Sequence, residues 1–293
     1  MAEEIIVARE SAHVSGTVQV SGAKNSALKL IAAAILGQGA STIRNVPHIT
    51  DIDIMIEVLE SLGAHVEREG DVVVADTTDV DKYVTPYELV SKMRASISVL
   101  GPLIGRFGRA RVAMPGGCKI GARKIDMHLR VLEDLGVEFS NDHGYLNASS
   151  PHGLKAADVF LEFPSVGATE NMMMASVTVP GTTIIDNAAR EPEIVDLANM
   201  LNEMGAHIEG AGSPTITIAG VSLDEMHPCD HTTVGDRIEA GTFLTAGALL
   251  GGPVTVEGID PSFLRMAILK LQEMDCDVTT TETSITVART NPL

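Results

Sequence analysis

The chain reads as a repetitive α/β or α+β protein, and three observations lead there. A Gly-led apolar strand, a polar turn, an amphipathic helix and two short strands recur four times, beginning at Gly39, Gly108, Gly181 and Gly252, about 70 residues apart. Within each copy, apolar residues fall at helical spacing and then switch to short strand-like runs. Composition agrees: of 293 residues, 45% are hydrophobic but only 3% aromatic, with no Trp, which suits small-residue helices packed on sheets.

A second helix, rich in small residues, precedes each copy: Asn25 to Leu36, Tyr87 to Ile104, Gly167 to Val177 and Arg237 to Leu250. The repeat helices carry their core stripe at Met55, Val58, Leu59 and Leu62 in the first copy and at Met127, Val131, Leu132 and Leu135 in the second. Gly63, Gly136 and Gly205 stand where a left-handed C-terminal cap is expected, and the fourth copy has Asp275 there. Ala64 to Glu67 with Val72 to Ala75 reads as a hairpin. Polar residues collect where the small-residue helices begin, at Ser21 to Ser26, Pro164 to Glu170 and Gly235 to Thr242. Helix N-termini offer free N–H groups and partial positive charge, so several converging would make an anion site; taken singly, Ser165 and Asp236 are ordinary caps. In the second copy, Met93-Arg94-Ala95-Ser96 lies further into the helix.

The length allows one or two domains. A formal net charge of -18 argues against general nucleic-acid affinity, and the most apolar helix, about Ala27 to Leu36, is too short to span a bilayer and contains Lys29. No membrane association, metal or cofactor is expected. Cys118, Cys229 and Cys276 form no closely spaced pair, which with the absence of a signal-peptide core points to a reducing, cytoplasmic setting. A junction is expected from about Ser222 to Gly235, where His227, Cys229, Asp230 and His231 crowd together; their spacing fits no standard zinc arrangement, so a solvated linker is preferred. The run Met172 to Met174 reads as core filling. Glu191 and Glu193 read either as paired carboxylates or as a helix start around Pro192.

Chemistry concentrates in Pro115-Gly116-Gly117-Cys118-Lys119-Ile120-Gly121-Ala122-Arg123. Adjacent glycines allow a close backbone approach to a ligand, while Lys119 and Arg123 favour the Cys118 thiolate and attract an anion. That combination suits acid or nucleophile chemistry on an anionic substrate; a tight turn that happens to hold a cysteine is the plain alternative.

The segments SGAKNSAL, MRASI, PGGCKIGAR with Asp126 and His128, FPSVGATEN, NAAREPEIVD and DRIEAGTF, in this order, resemble the UDP-N-acetylglucosamine 1-carboxyvinyltransferase family, the enolpyruvyl transferases that open peptidoglycan synthesis. The resemblance implies inverted α/β units in two three-unit domains. It divides the chain into 1–21, an N-terminal strand (about Glu4 to Arg9) of the second domain; 22–230, a complete first domain; and 231–293, one repeat of the second. The chain would then lack about two of six repeats, leaving an apolar face around Leu264, Ile268 and Leu271 open to self-association. Also implied is transfer of the enolpyruvyl group of phosphoenolpyruvate to the 3-hydroxyl of UDP-N-acetylglucosamine with release of phosphate, a step in cell-wall biogenesis, cell shape and division. By the same resemblance Cys118 is the general acid and the site of fosfomycin alkylation, and Lys24, Arg94 and Arg123 bind phosphoenolpyruvate, with Lys24 and Arg123 catalytic. Asn25 positions the sugar nucleotide, and Lys124, Ile125, Asp126, Ser165, Val166 and Gly167 complete its site, with Glu193, Asp236 and Arg237 supporting. The family's catalytic aspartate and a further arginine have no counterpart here, so slow or absent turnover is expected, and a non-catalytic UDP-sugar-binding module is the alternative. Gly235 and Lys124 stand where the family commonly has proline; Gly235 is expected to loosen the junction and Lys124 to add charge to the loop.

Overall fold

The computed structural model describes Val7, Ser11 and residues 13–90, 94–114 and 125–289. They form two compact units, Gly22–Val234 and Met1–Ser21 with Gly235–Leu293. β1 (Val14–Gln19) belongs to the second, smaller unit; Glu4 to Arg9, apart from Val7, lies outside the described residues.

The larger unit opens with α1 (Lys24–Ala33), which tightens into a 3₁₀ turn at Ala34–Leu36. Beyond its polar first turn α1 is apolar except at Lys29, and such a helix belongs inside: Ala27, Leu28 and Leu30 through Ala33 are buried. β2 (Ala40–Arg44), α2 (Thr50–Leu62) and the hairpin β3 (His65–Glu69) and β4 (Val72–Asp76) complete the first repeat. α2 buries Ile52, Met55, Val58, Leu59 and Leu62, carries Asp51 and Asp53 at its positive end and stops at Gly63, whose φ is +109.

The second repeat departs from the expected continuous helix between Tyr87 and Ile104. α3 (Tyr87–Val90) and a 3₁₀ turn at Arg94–Val99 precede α4 (Leu100–Phe107). Pro102 explains the late start of α4, because its ring cannot donate to a preceding carbonyl and fits only in a first turn. β5 (Arg109–Ala113), α5 (Asp126–Asp134), β6 (Glu138–Asp142) and β7 (Tyr145–Ser149) follow. The third repeat comprises β8 (Asp158–Phe160), α6 (Val166–Ser176), β9 (Thr182–Asp186), α7 (Pro192–Glu203), β10 (His207–Glu209) and β11 (Thr215–Ala219). Met172, Met173 and Met174 are fully buried, as core filling requires. α4 packs along α6 at Gly101, where a Cβ would stand 2.5 Å from the Asn171 carbonyl oxygen.

The stretch read as a solvated linker is instead largely built into the larger unit. β12 (Asp230–Thr232) runs parallel to β2, and His231 is buried. Three residues sufficed for a strand because β2 offered an unpaired edge. Each full sheet follows one plan. The repeat's first strand pairs antiparallel with the last strand of its hairpin and parallel with an added edge strand, giving the orders β12-β2-β4-β3 and β10-β11-β9-β8. In β5-β7-β6 the edge strand shrinks to a single bridge between Val84 and Arg111, ahead of Pro86, which cannot donate to a ladder.

The smaller unit continues with α8 (Arg237–Leu250), β13 (Gly251–Glu257), a 3₁₀ turn at Pro261–Leu264, α9 (Arg265–Glu273), β14 (Asp277–Thr280) and β15 (Ser284–Ala288), and its sheet order is β1-β13-β15-β14. Two expectations change here. Leu271 is buried in this unit's own core, with Leu264 and Ile268 packed against it; among the described residues its exposed large apolar side chains are Val7, Ile238, Leu249, Met266, Leu269 and Met274. Gly235 tightens rather than loosens its surroundings, since a Cβ there would fall 2.0 Å from the Gly258 carbonyl oxygen.

Candidate functional site

Lys24 is the first residue of α1, half-exposed, with its ammonium in an ion pair with Asp51 in the first turn of α2. Asn25 follows, and its carbonyl accepts a hydrogen bond from Lys29 Nζ at 2.9 Å. Arg94 begins the 3₁₀ turn before α4. Cys118, Lys119, Arg123 and Lys124 lie outside the described residues, and so does every other position from Pro115 to Lys124.

The starts of α5 and α6 are held against each other. Ile125 flanks α5 and packs on the core, and Asp126 is its exposed first residue, accepting a hydrogen bond from Met127 N at 3.1 Å. Ser165 caps α6 through Ala168 N at 3.4 Å, and Val166 and Gly167 form its first turn. His128 of α5 lies over Gly167, where a Cβ would approach its ring to 2.7 Å, and His128 Nδ1 stands 2.8 Å from Asn171 Nδ2. Thus Ile125, Asp126, Ser165, Val166 and Gly167 are gathered on two joined helix ends, where orphan N–H groups favour an anion. Asp236 caps α8 through Ile238 N and Glu239 N, and Arg237 is its first residue; both belong to the smaller unit.

Within the larger unit, α1 and α6 share a buried ion pair that sequence reasoning did not assign. Lys29 Nζ lies 3.4 Å from Glu170 Oε2, joining α1 to α6. Glu170 is fully buried and its carboxyl is pushed up to about 7, chiefly by burial and further by Glu193 and Glu191, against the pull of Lys29. Glu193 is itself 4% exposed in the first turn of α7, after Pro192. The available signal was a cation beyond the polar first turn of an otherwise apolar α1 and a lone carboxylate in the methionine-rich α6. Near β12, Asp230 makes two 2.7 Å hydrogen bonds with Arg44, and the half-buried Cys229 thiol is raised to about 11, mainly by burial. Among the described residues no cluster of His, Cys, Asp and Glu could hold a metal, and no helix is long and apolar enough to cross a membrane.

Buried helices combined with sheets that repeat one plan define a class, and the comparisons agree. A family model described as EPSP synthase (3-phosphoshikimate 1-carboxyvinyltransferase) matches residues 8–293, and the chain belongs to that family. Within it, the chain is 49% identical over 289 residues to the UDP-N-acetylglucosamine 1-carboxyvinyltransferase of Mycobacterium bovis, covering 99% of this chain and 68% of that relative. With the enzyme of the same name from Acinetobacter baylyi it shares 47% identity over 266 residues, 91% of this chain and 63% of that one. Among solved structures, the enolpyruvyl transferase NikO from Streptomyces tendae superposes with a TM-score of 0.83 at 25% identity, over 95% of this chain and 66% of that chain. An EPSP synthase from Acinetobacter baumannii shares the fold, with a TM-score of 0.70 at 16% identity, over 94% of this chain and 65% of that one. The chain therefore spans about two thirds of the length of the relatives it matches.

Proposed function

We propose that these residues form the major part of a UDP-N-acetylglucosamine 1-carboxyvinyltransferase, which transfers the enolpyruvyl group of phosphoenolpyruvate to the sugar 3-hydroxyl and releases phosphate. The observation that carries the reading is the 49% identity across 99% of the chain to relatives of that name. The joined helix starts at Asp126 and Ser165 support it, because both substrates are anions and such starts suit phosphate. In this reading Cys118 delivers a proton to the methylene carbon, with cations beside the thiol bringing its acidity toward neutral pH. Lys24, Arg94 and Arg123 neutralise the phosphate and carboxylate of phosphoenolpyruvate. Asn25 orients the sugar, while Lys124, Ile125, Asp126, Ser165, Val166 and Gly167 take the uridine diphosphate. Glu193, Asp236 and Arg237 have supporting roles. The setting is the cytoplasm, in peptidoglycan and cell-wall biogenesis with its consequences for cell shape, cell cycle and division, and fosfomycin alkylates Cys118.

The relatives' length favours keeping a second reading, a module that captures UDP-sugars without turning them over. Incubating the 293-residue chain with both substrates, with phosphate assay and intact mass, separates the two. A Cys118 adduct from phosphoenolpyruvate, with slow or no phosphate release, is expected. Nucleotide-sugar binding without any adduct points to the module, and binding of neither substrate overturns both. Self-association through Leu249, Met266 and Leu269 is part of the same proposal; a monomer by light scattering at all concentrations would remove it.

A further inference from the structure

Asp196 lies on the buried side of α7 and is only 2% exposed. Its Oδ2 accepts from Ser26 Oγ and, at 3.3 Å, from the backbone N–H of Val234. Its Oδ1 faces His231 Nε2 at 2.9 Å, while His231 Nδ1 faces Glu203 Oε2 at 2.8 Å. Ionised carboxylate oxygens only accept, so the ring satisfies both partners with a proton on each nitrogen. The arrangement is then an imidazolium between two carboxylates, which offsets the cost of burying Asp196.

The groups that Asp196 holds lie next to the proposed site. Ser26 follows Asn25 directly. Val234 is the last residue of the larger unit, and its carbonyl accepts the Ala23 N–H at 2.7 Å, immediately before Lys24. Asp196 therefore holds the first turn of α1 from both sides, through Ser26 and through Val234.

We infer that Asp196 and His231 are positioning residues, a clamp closed by the doubly protonated ring that fixes Lys24 and Asn25, and that loss of one ring proton opens it. This rests on the functional reading above for what Lys24 and Asn25 do, but the clamp itself is testable without it. Facing the ring from α7 are Asp196 and Glu203; just before β12 the Cys229 thiol stays neutral, and in β12 Asp230 is engaged by Arg44 of β2. Burial pulls the His231 value down, but the two carboxylate partners outweigh it and leave it above its ordinary 6.5.

Imidazole ¹⁵N spectra of the full chain across pH, with amide-exchange protection at Ala23 and Val234, test the clamp. Both ring nitrogens are expected to carry protons at neutral pH, and both amides to lose protection along the ring titration. Glu203→Gln, at a half-exposed position, is expected to lower the ring midpoint by about one unit, and Asp196→Asn by more. A neutral ring at pH 7, or protection indifferent to the ring's state, overturns the clamp. In calorimetry, UDP-N-acetylglucosamine affinity is expected to weaken about tenfold above the midpoint and in Asp196→Asn. Measurable affinity that stays flat across the midpoint overturns the positioning role. No binding at any pH overturns the functional reading instead, while the ring titration still decides the clamp.

Discussion

Glu170 is the residue whose surroundings deviate most from what its chemistry prefers, a carboxyl fully buried in α6 with Lys29 as its counter-charge. Its folded value of about 7 lies above the ordinary 4.5, so between those limits the folded state holds a proton that the unfolded chain has lost. By linkage, the stability it contributes is greatest at acid pH and is lost as pH rises through 7, the reverse of a salt-bridged surface carboxylate. Glu170→Gln is expected to flatten that slope, on the order of a few kcal/mol across the window, read as urea midpoints from pH 5 to 8. Unchanged slopes would mean that Glu170 is ionised throughout. His231 acts with the same sign: its value is raised from 6.5, so its stabilisation is full below 6.5 and lost as pH rises through the folded-state value. Glu203→Gln in the Glu170→Gln background separates the two.

Helix ends show how far local chemistry was legible. Gly63, Gly136 and Gly205 take φ of +109, +92 and +103 after their helices, and Asp275 takes +58 in the fourth copy, so the repeat was read correctly even where the residue type changed. Because a side chain in the left-handed region is strained, Asp275→Gly is expected to stabilise the smaller unit by about 0.5 to 1 kcal/mol, measured by denaturant midpoint; destabilisation would show that the Asp side chain is needed. Core stripes such as Met55, Val58, Leu59 and Leu62 were equally legible, since periodicity reports burial directly. Three-residue β8 and β12 were not, because an edge strand that short has no period and exists only where a neighbour offers an unpaired edge. Arg106 was also missed. In the last turn of α4 it donates to the carbonyls of Ile35, Gly37, Thr77 and Val80 at 2.7 to 3.2 Å, closing the C-terminal end of α1, and only the folded chain brings those carbonyls together. Arg106→Met is expected to cost about 2 to 4 kcal/mol, and a loss within experimental error would mean that water replaces it.

At the scale of the whole molecule, the two units are unequal in what holds them. The larger has a continuous core running through α1, α2, α4, α6 and α7 and three sheets. Among the described residues, the smaller relies on an apolar core of eleven buried residues, from Val20 through Val287, two of them alanine and one cysteine. It also leaves Met266 68% and Leu249 60% exposed, so its apolar residues are spent partly on solvent. A unit of this size buries a small share of its chain's surface and is marginal by scale alone. Hydrogen exchange on the full chain is therefore expected to show Val254, Val256, Ile285 and Val287 opening together, at lower free energy than Ile43, Val73 and Ile185. Melting should correspondingly proceed in two steps. The parallel ladder from β1 to β13 ties residues 14–19 into the smaller unit, so their amides should follow the lower transition although α1, which comes next in sequence, follows the higher. A single transition with equal protection in both sets would mean that the units fold as one, and that the eleven-residue core draws its stability from outside itself.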